Sequence, residues 1–435
     1  MNKTWIIIFI IFVLTGIVLT VLFLTKKKSC GTCSGHGTCD TKSGKCNCDP
    51  KYSGSHCDTL TCDCSGKGNC GEPGTCKCCE NCLCQNGGTC NKDGSCNCGD
   101  FWTGEKCEEK IYVAVGISSN GKDVIVWSAD GKTGWTGVGP TGNAPWILSG
   151  VTWNGKIFVA VGLNTDNHDE TILYSEENNI NKWTRVDEKI FQAGHGITWN
   201  GTIFIAVGIG VGLDITKSIS WSVNGKTGWT GSNTIFKNLI NGITWSDTEQ
   251  IFVAVGDGKD NNPICWSADG KSNWNECAGL DNYNYNYNCV ANNKNGFVAV
   301  GTNLNTIAGS IAYSKNGKYD WTVKDIFENP SSGQDSSPVG GYGVACSESI
   351  FVAVGYGVDK IFWSDDNGEN WNKSENGNDT FSNNNNGIGY GVGVTWTGKI
   401  FIAVGTGQCS TAWSDDGKVW TQSDTNYSNL YNGVV

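Results

Sequence analysis

Residues 5–24, WIIIFIIFVLTGIVLTVLFL, are apolar or uncharged throughout. Twenty such residues in a helix extend about 30 Å, the thickness of a bilayer's hydrocarbon layer. The pattern therefore predicts a membrane-spanning helix. A cleaved signal peptide has a shorter apolar run and a small-residue cleavage site, and neither is evident. Short apolar runs then return at intervals from Ile111: IYVAVG, KIFVAVG, TIFIAVG, QIFVAVG, GFVAVG, IFVAVG and KIFIAVG. Their leading aromatic falls at Tyr112, Phe158, Phe204, Phe252, Phe297, Phe351 and Phe401, in steps of 46, 46, 48, 45, 54 and 50 residues. A period in the forties signals a propeller or a helical array. The segments lack a helical period and are short, β-branched and aromatic, so strands are predicted.

One unit parses as four strands. GVTW is the first, and an Asn-Gly pair or its like turns the chain into KIFVAVG. The unbroken apolar character of that second strand predicts burial on both faces, as in a sheet pressed between two neighbours. ILYS, ISWS, ICWS, IAYS, IFWS or TAWS forms the third. A turn then leads to a strand opening on Trp135, Trp183, Trp229, Trp274, Trp321, Trp371 or Trp420. The first copy lacks GVTW, while Tyr431 to Val435 of LYNGVV match the start of a unit. The C-terminal residues are therefore expected beside Ile111 to Gly116, closing a ring without free edges.

The turn before the tryptophan carries a family resemblance. SDDNGENW at Ser364 fits S-x-D-x-G-x-x-W; SADGKTGW, SVNGKTGW, SADGKSNW, SKNGKYDW and SDDGKVW are close variants, and SEENNINKW is degenerate. The repeats resemble the Asp-box, or sialidase-like, β-propeller over the 325 residues from Ile111. The turn chemistry is local: Asp or Asn bonds turn amides, Gly takes positive φ, and Trp covers the hairpin. Ser128, Asp130, Trp135, Ser364, Asp366, Gly368, Trp371, Ser414, Asp416 and Trp420 are accordingly read as structural.

Cysteine usage changes the picture before the repeats. Eighteen of the 23 cysteines lie between Cys30 and Cys107, a density that reads as a disulfide framework in an oxidising compartment. They form three sets of six, each with a close first pair, a third Cys after SGHGT, SGKGN or QNGGT, and then C-x-C. These sets resemble tandem epidermal-growth-factor-like modules of the tenascin type. The resemblance implies Cys30–Cys39, Cys33–Cys46, Cys48–Cys57, Cys62–Cys70, Cys64–Cys76, Cys82–Cys90, Cys84–Cys96 and Cys98–Cys107. The middle module has lost its last loop, which leaves Cys78 and Cys79 adjacent and their pairing open. Zinc is the alternative for such clusters, but zinc sites use four ligands and these sets hold six. Modules this small cannot bury a sufficient core, so disulfides must stand in for one.

The expected architecture is all-β apart from one helix. Residues 1–28 form the membrane anchor, 29–59 EGF-like module 1, 60–80 a truncated module 2, 81–108 module 3, and 109–435 a seven-bladed Asp-box propeller whose C-terminal strand closes blade one. The cysteines place residues 29–435 outside the cytosol, at a cell or virion surface, although Lys26, Lys27 and Lys28 after the span pull the other way. The Asn-rich, Arg-poor chain with an anchor and such modules looks like a membrane protein of a large cytoplasmic DNA virus. Asn200, Asn372, Asn378 and Asn426 lie in N-x-[ST] sequons.

The net charge of −11 argues against nucleic acid as a partner. Function is sought on the loops between second and third strands and between repeats, which vary in sequence. Tyr283, Tyr285 and Tyr287 alternate with Asn, a combination suited to sugar stacking and hydrogen bonding. His195, expected near the channel mouth, Trp146, Tyr342 and Tyr390 complete the candidate ligand-binding set. The sialidase reading fails, because those enzymes grip a carboxylate with three arginines and Arg185 is the only one here. Another glycosidase needs two carboxylates at a set separation; Asp166, Asp169, Asp214, Asp257 and Asp260 lie on suitable loops. No catalytic residue, cofactor or metal site is assigned, and His36, His56 and His168 form no metal spacing with His195. Cys277 and Cys289 bracket the tyrosines and are candidates to pair; Cys265, Cys346 and Cys409 are unassigned. The expected function is a membrane-anchored adhesion protein whose non-catalytic propeller, on an EGF-like stalk, binds a cell-surface glycan or protein. The alternatives are a glycoside hydrolase and a structural virion-surface component.

Overall fold

The computed structural model describes residues 33–49, 52–57, 59–60, 84–86, 88–91, 95–99, 101–117, 123–139, 145–177, 179–211, 218–232, 239–258, 262–278, 280, 284–306, 308–328, 339–381, 389–406, 410–423 and 430–435. The expected anchor at 5–24, the truncated module at 60–80 apart from residue 60, and Tyr283 lie outside them. Among the described residues no helix is long and apolar enough to cross a membrane. The chain divides into two compact units, Met1–Glu109 and Lys110–Val435.

In the first unit, Gly37–Asp40 pairs antiparallel with Lys45–Cys48. Cys33 is bonded to Cys46 and Cys48 to Cys57, with Cα atoms 5.7 and 5.2 Å apart. Cys33 and Cys57 are themselves the buried core, and Tyr52 packs at its edge with His36 stacked on its ring at 3.9 Å. Further along, Cys84 is bonded to Cys96 and Cys98 to Cys107. Cys39 is disulfide-bonded as well. The expected bonds of Cys30, Cys62, Cys64 and Cys82 involve residues outside those described.

The second unit is built from antiparallel sheets of propeller-like form, each but the earliest running in chain order from first to fourth strand. The first strands are Trp146–Trp153, Ala193–Trp199, Ile240–Ser246, Tyr285–Asn293, Gly340–Cys346, Gly391–Trp396 and Leu430–Val434. The last of these belongs to the earliest sheet: it pairs with Tyr112–Ile117, Leu430 opposite Ile117 and Val434 opposite Ala114. One bridge, Ile117 to Ile147, runs that sheet into the next, making eight continuous strands. Several fourth strands are short and start after the tryptophan, as at Thr230–Gly231 and Thr421–Gln422, whereas Asn179–Arg185 runs through Trp183.

The apolar second strands sort their residues by side. Phe204 and Ala206 pack with Val159 and Val161 of the preceding sheet, while Ile205 and Val207 pack with Phe252 and Ala254 of the following one. The same division recurs at Val253 and Val255 against Phe297 and Ala299, and at Val352 and Val354 against Phe401 and Ala403. It returns to the start where Ile402 and Val404 meet Tyr112 and Ala114. Because side chains alternate along a strand, a run such as FVAV offers Phe and Ala to one neighbour and two valines to the other. A bulky ring beside a small alanine meets paired β-branched residues, which fills the space between sheets.

The turns before the tryptophans are tied from within. Ser128 Oγ donates to Thr133 O at 2.6 Å and accepts from Gly131 N at 3.0 Å. Asp130 Oδ1 accepts from the amides of Lys132 and Thr133, each at 2.8 Å. Ser364, Asp366 and Gly368 repeat the scheme, as do Ser414, Asp416 and Gly417. Asn224 and Asn316 accept the same pair of amides without a charge. Gly225, at φ +72°, shows why glycine is needed, since a Cβ there would lie 2.8 Å from Val159 of the neighbouring sheet. Trp135 and Trp420 are buried over their hairpins, whereas Trp371 is half-buried.

Candidate functional site

Each first strand carries one extra residue. Its register slips between Leu148 and Gly150, Gly194 and Gly196, Ile240 and Gly242, Tyr287 and Cys289, Gly341 and Gly343, Gly391 and Gly393, and Tyr431 and Gly433. A bulge leaves its extra residue outside the ladder and re-aims the side chain. The residues singled out are Ser149, His195, Asn241, Asn288, Tyr342, Val392 and Asn432. All of them line one cavity of about 170 Å³, enclosed by the first strands.

The position after the bulge is glycine, except at Cys289. A Cβ on Gly150 would lie 3.0 Å from His195 O, on Gly196 3.1 Å from Asn241 O, and on Gly242 3.0 Å from Asn288 O. On Gly393 it would lie 2.6 Å from Asn432 O, and on Gly433 2.9 Å from Ser149 O. Neighbouring first strands therefore approach so closely around the cavity that a side chain at these glycine positions would crowd the next strand's backbone.

Side-chain amides join the same strands. Asn432 Nδ2 donates to Leu148 O at 2.8 Å, and Asn288 Nδ2 to Gly341 O at 2.9 Å. Asn241 Nδ2 donates to both Asn286 Oδ1 and Tyr287 O at 2.9 Å. Both amide protons of Asn241 are thus engaged, so its Oδ1, 3.1 Å from His195 Nδ1, must accept. That fixes the proton of His195 on Nδ1 and leaves Nε2 as a hydrogen-bond acceptor. Burial lowers the imidazole pKa, opposed by the bond to Asn241, and His195 is neutral at pH 7. Among the described residues the lining holds no Asp, Glu, Lys or Arg. It offers hydroxyl, imidazole, amide and thiol groups interleaved with Val and Ile.

The sequence candidates separate. His195 and Tyr342 line the cavity. Tyr390 is half-buried, its ring 5.5 Å from Tyr342 and 5.8 Å from Tyr356. Trp146 and Tyr287 are core residues, 2% and 0% exposed, and neither ring has a face open to a ligand. Residues 285–293 are a strand rather than a loop, so tyrosines two apart share one face, and on that face Tyr287 is packed into the core. Tyr285 is half-buried with its ring 5.9 Å from that of Tyr287. Tyr283 lies outside the described residues. Ser149, Asn241, Asn288, Val392 and Asn432 were missed, although a signal exists: each stands immediately before the glycine or cysteine that opens the core of its first strand.

Cys277 and Cys289 do not pair; both are free thiols. Cys277 follows an outer strand and its Sγ donates to Gly317 O at 3.2 Å, whereas Cys289 lies on a first strand at the cavity, 3.8 Å from Val344 O. They belong to different sheets, Cys277 just after the outermost strand of one and Cys289 on the first strand of the next. Arg185 is held by Glu170 at 2.7 Å on an outer strand, and Asp169 pairs with Lys189. Asp257 bridges through its backbone to Asn286; Asp214 and Asp260 lie outside the described residues. Among the described residues no three His, Cys, Asp or Glu side chains gather as a metal ion requires.

Comparison with known proteins adds a domain and a fold likeness. Residues 26–57 match the EGF-like domain family. No curated protein sequence is similar to the chain. Among solved structures it is similar to a chain of the crystal structure of a nidogen/laminin complex, with 10% identity over 74% of this chain and 97% of that one, at a TM-score of 0.41. It is also similar to YCF48 bound to a D1 peptide, with 14% identity over 67% and 84% of the two chains, at a TM-score of 0.46. The EGF-like match thus coincides with the disulfide-bonded residues of the first unit, and the second unit keeps the propeller-like form of its own sheets.

Proposed function

We propose that this is a single-pass membrane protein, anchored by residues 5–24, that holds residues 29–435 outside the cytosol. EGF-like modules form a stalk, and the stalk presents a seven-bladed Asp-box propeller that binds a cell-surface glycan. If the source is a large DNA virus, attachment to a host cell is the concrete use. The observation that carries this reading is the cavity lining: neutral hydrogen-bonding groups from six first strands, no charge, and the Tyr342–Tyr390 pair at its edge. Sugar hydroxyls are matched by amide, hydroxyl and imidazole groups, and sugar faces by aromatic rings. Glycoside hydrolysis is disfavoured, because it needs two carboxylates converging on one bond and the lining supplies none. The test is a glycan array probed with the full chain in detergent, beside Tyr342→Phe and Ser149→Ala, both at the cavity lining. Selective binding to one glycan class, weakened at least several-fold by either variant, is expected. Flat signal on every glycan would overturn the sugar reading and direct attention to protein partners.

A further inference from the structure

The sequons of this chain are not equivalent in the fold. Asn372 lies on an outermost strand, exposed, in the sequence Asn372-Lys373-Ser374. Its neighbour Lys373 is tied to Asp359, but no bond engages the Asn372 amide among the described residues. Asn200 occupies the hairpin between first and second strands. Its Oδ1 accepts from Thr202 N, Thr202 Oγ1 and Ile203 N at 2.9, 2.9 and 2.8 Å, and its Nδ2 has no partner among the described residues. The turn is the one Asn154 makes, where Oδ1 accepts from Lys156 N and Ile157 N at 3.0 and 2.9 Å. Asn154 is followed by Gly-Lys rather than Gly-Thr, so the turn itself does not require the threonine.

Asn378 differs at both ends of its amide. Nδ2 donates to Asp359 Oδ1 at 2.9 Å, and Oδ1 accepts from Lys360 N at 3.1 Å. Its backbone oxygen also accepts from Lys360 Nζ at 3.0 Å. This residue ties residues 359–360 to the short helix Gly377–Thr380. A sugar on its nitrogen would crowd the Asp359 carboxylate and loosen that tie.

We infer that Asn200 and Asn372 are N-glycosylation sites and that Asn378 stays unmodified as a structural tie. The inference rests on the extracytosolic placement proposed above. The donor is a lipid-linked oligosaccharide diphosphate. The asparagine amide nitrogen attacks C1 of the first sugar, the C1–O bond to the diphosphate breaks with its electron pair, and one amide proton is lost. The N–C bond so formed leaves a single N–H on each modified side chain. Among the described residues neither acceptor nitrogen takes part in the bonds that hold its turn or strand, so a glycan is carried without loss of either.

The test expresses the full chain in secretory-competent cells with a C-terminal tag bearing its own Asn-Gly-Thr sequon. Release by an amidase in heavy-oxygen water marks each former glycan site for peptide mass spectrometry. Label at Asn200 and Asn372, at the tag, and not at Asn378 is expected. Thr202→Lys, which rebuilds the native turn of residues 154–156, is expected to remove only the Asn200 label and leave the melting temperature unchanged. A labelled tag with Asn200 and Asn372 bare would overturn the inference and leave the placement standing. An unlabelled tag with no label elsewhere would overturn the placement, and the inference with it. Label at Asn378 equal to that at Asn372 would overturn the distinction drawn between them.

Discussion

Lys132 Nζ sits 3.6 Å from the ring centroid of Trp413, across the junction of the first and last sheets, and 3.2 Å from Asp415 Oδ1. The arrangement recurs around the unit: Lys271 over Trp221 at 4.3 Å, Lys318 over Trp266 at 5.4 Å and Lys418 over Trp363 at 3.9 Å. In each case the lysine following the turn glycine lies over the third-strand aromatic of the preceding sheet. A cation over an indole contributes about 0.5–2 kcal/mol according to its desolvation. Lys132→Gln is therefore expected to lower unfolding stability by about 1 kcal/mol in urea titration. Lys156→Gln, on an exposed hairpin, should leave the midpoint unmoved; equal effects of the two would refute the latch.

The glycine ring gives a second prediction. Gly393→Ala places a methyl 2.6 Å from Asn432 O, with no flexible side chain to yield. Overpacking of this kind costs about 1–3 kcal/mol. Cys289 already occupies the equivalent place in its strand, so Cys289→Ala should be tolerated far better. Chemical denaturation of both variants decides the matter, and a Gly393→Ala protein as stable as the parent would show that the first strands can spread.

Acid should act through the turn carboxylates. Burial works to raise Asp130, Asp269, Asp366 and Asp416, but the amide and hydroxyl bonds they accept outweigh it and hold each below the ordinary 3.8. Such a carboxyl binds its proton more weakly folded than unfolded. Its contribution is complete above the unfolded value and is lost as the pH falls through the lower folded one. Asn224 and Asn316 make the same turn without titrating. Replacing the four aspartates by Asn should therefore flatten the decline in stability below about pH 4, followed by tryptophan fluorescence. An unchanged acid limb would assign acid unfolding to other groups.

Thiol chemistry should report on folding. Burial pushes Cys277 and Cys346 up to about 12, and Cys265 and Cys289 upward as well. The thiolate is the reactive form, so at pH 8 the folded protein should resist iodoacetamide at these four positions. In guanidinium they should alkylate within minutes while the disulfides of Cys33–Cys46 and Cys98–Cys107 remain closed. Rapid native alkylation of Cys277, read by peptide mass spectrometry, would contradict its burial.

Repetition made the sheets legible before any coordinates. A strand buried on both faces needs an unbroken apolar run, and VAVG states that wherever it occurs. The pairing of Leu430–Val434 with Tyr112–Ile117 was visible because the first repeat lacked its opening strand and the C-terminal residues supplied one. The tyrosines were harder. Asn between them suggested a solvated loop, but alternation is also the signature of a strand, and composition outweighed period in that reading. The bulges left no mark on hydropathy, because an extra residue changes direction rather than polarity. Ser149, His195, Asn241, Tyr342 and Val392 share no chemistry, only a place before glycine, and a ring of unlike residues is recognised only once the strands stand side by side.

The pairing of Leu430–Val434 with Tyr112–Ile117 also sets an order in time. Some three hundred residues must be placed before the earliest sheet receives its inner strand, a closure of very high sequence separation. Until then Tyr112–Ile117 has an unpaired inner edge, and an open arc of sheets presents templates for strands of other chains. A chain interrupted before Leu430 would be less a shortened protein than an unclosed one, sticky at both ends. Synthesis of this molecule is all-or-nothing in that sense: its first sheet is finished last.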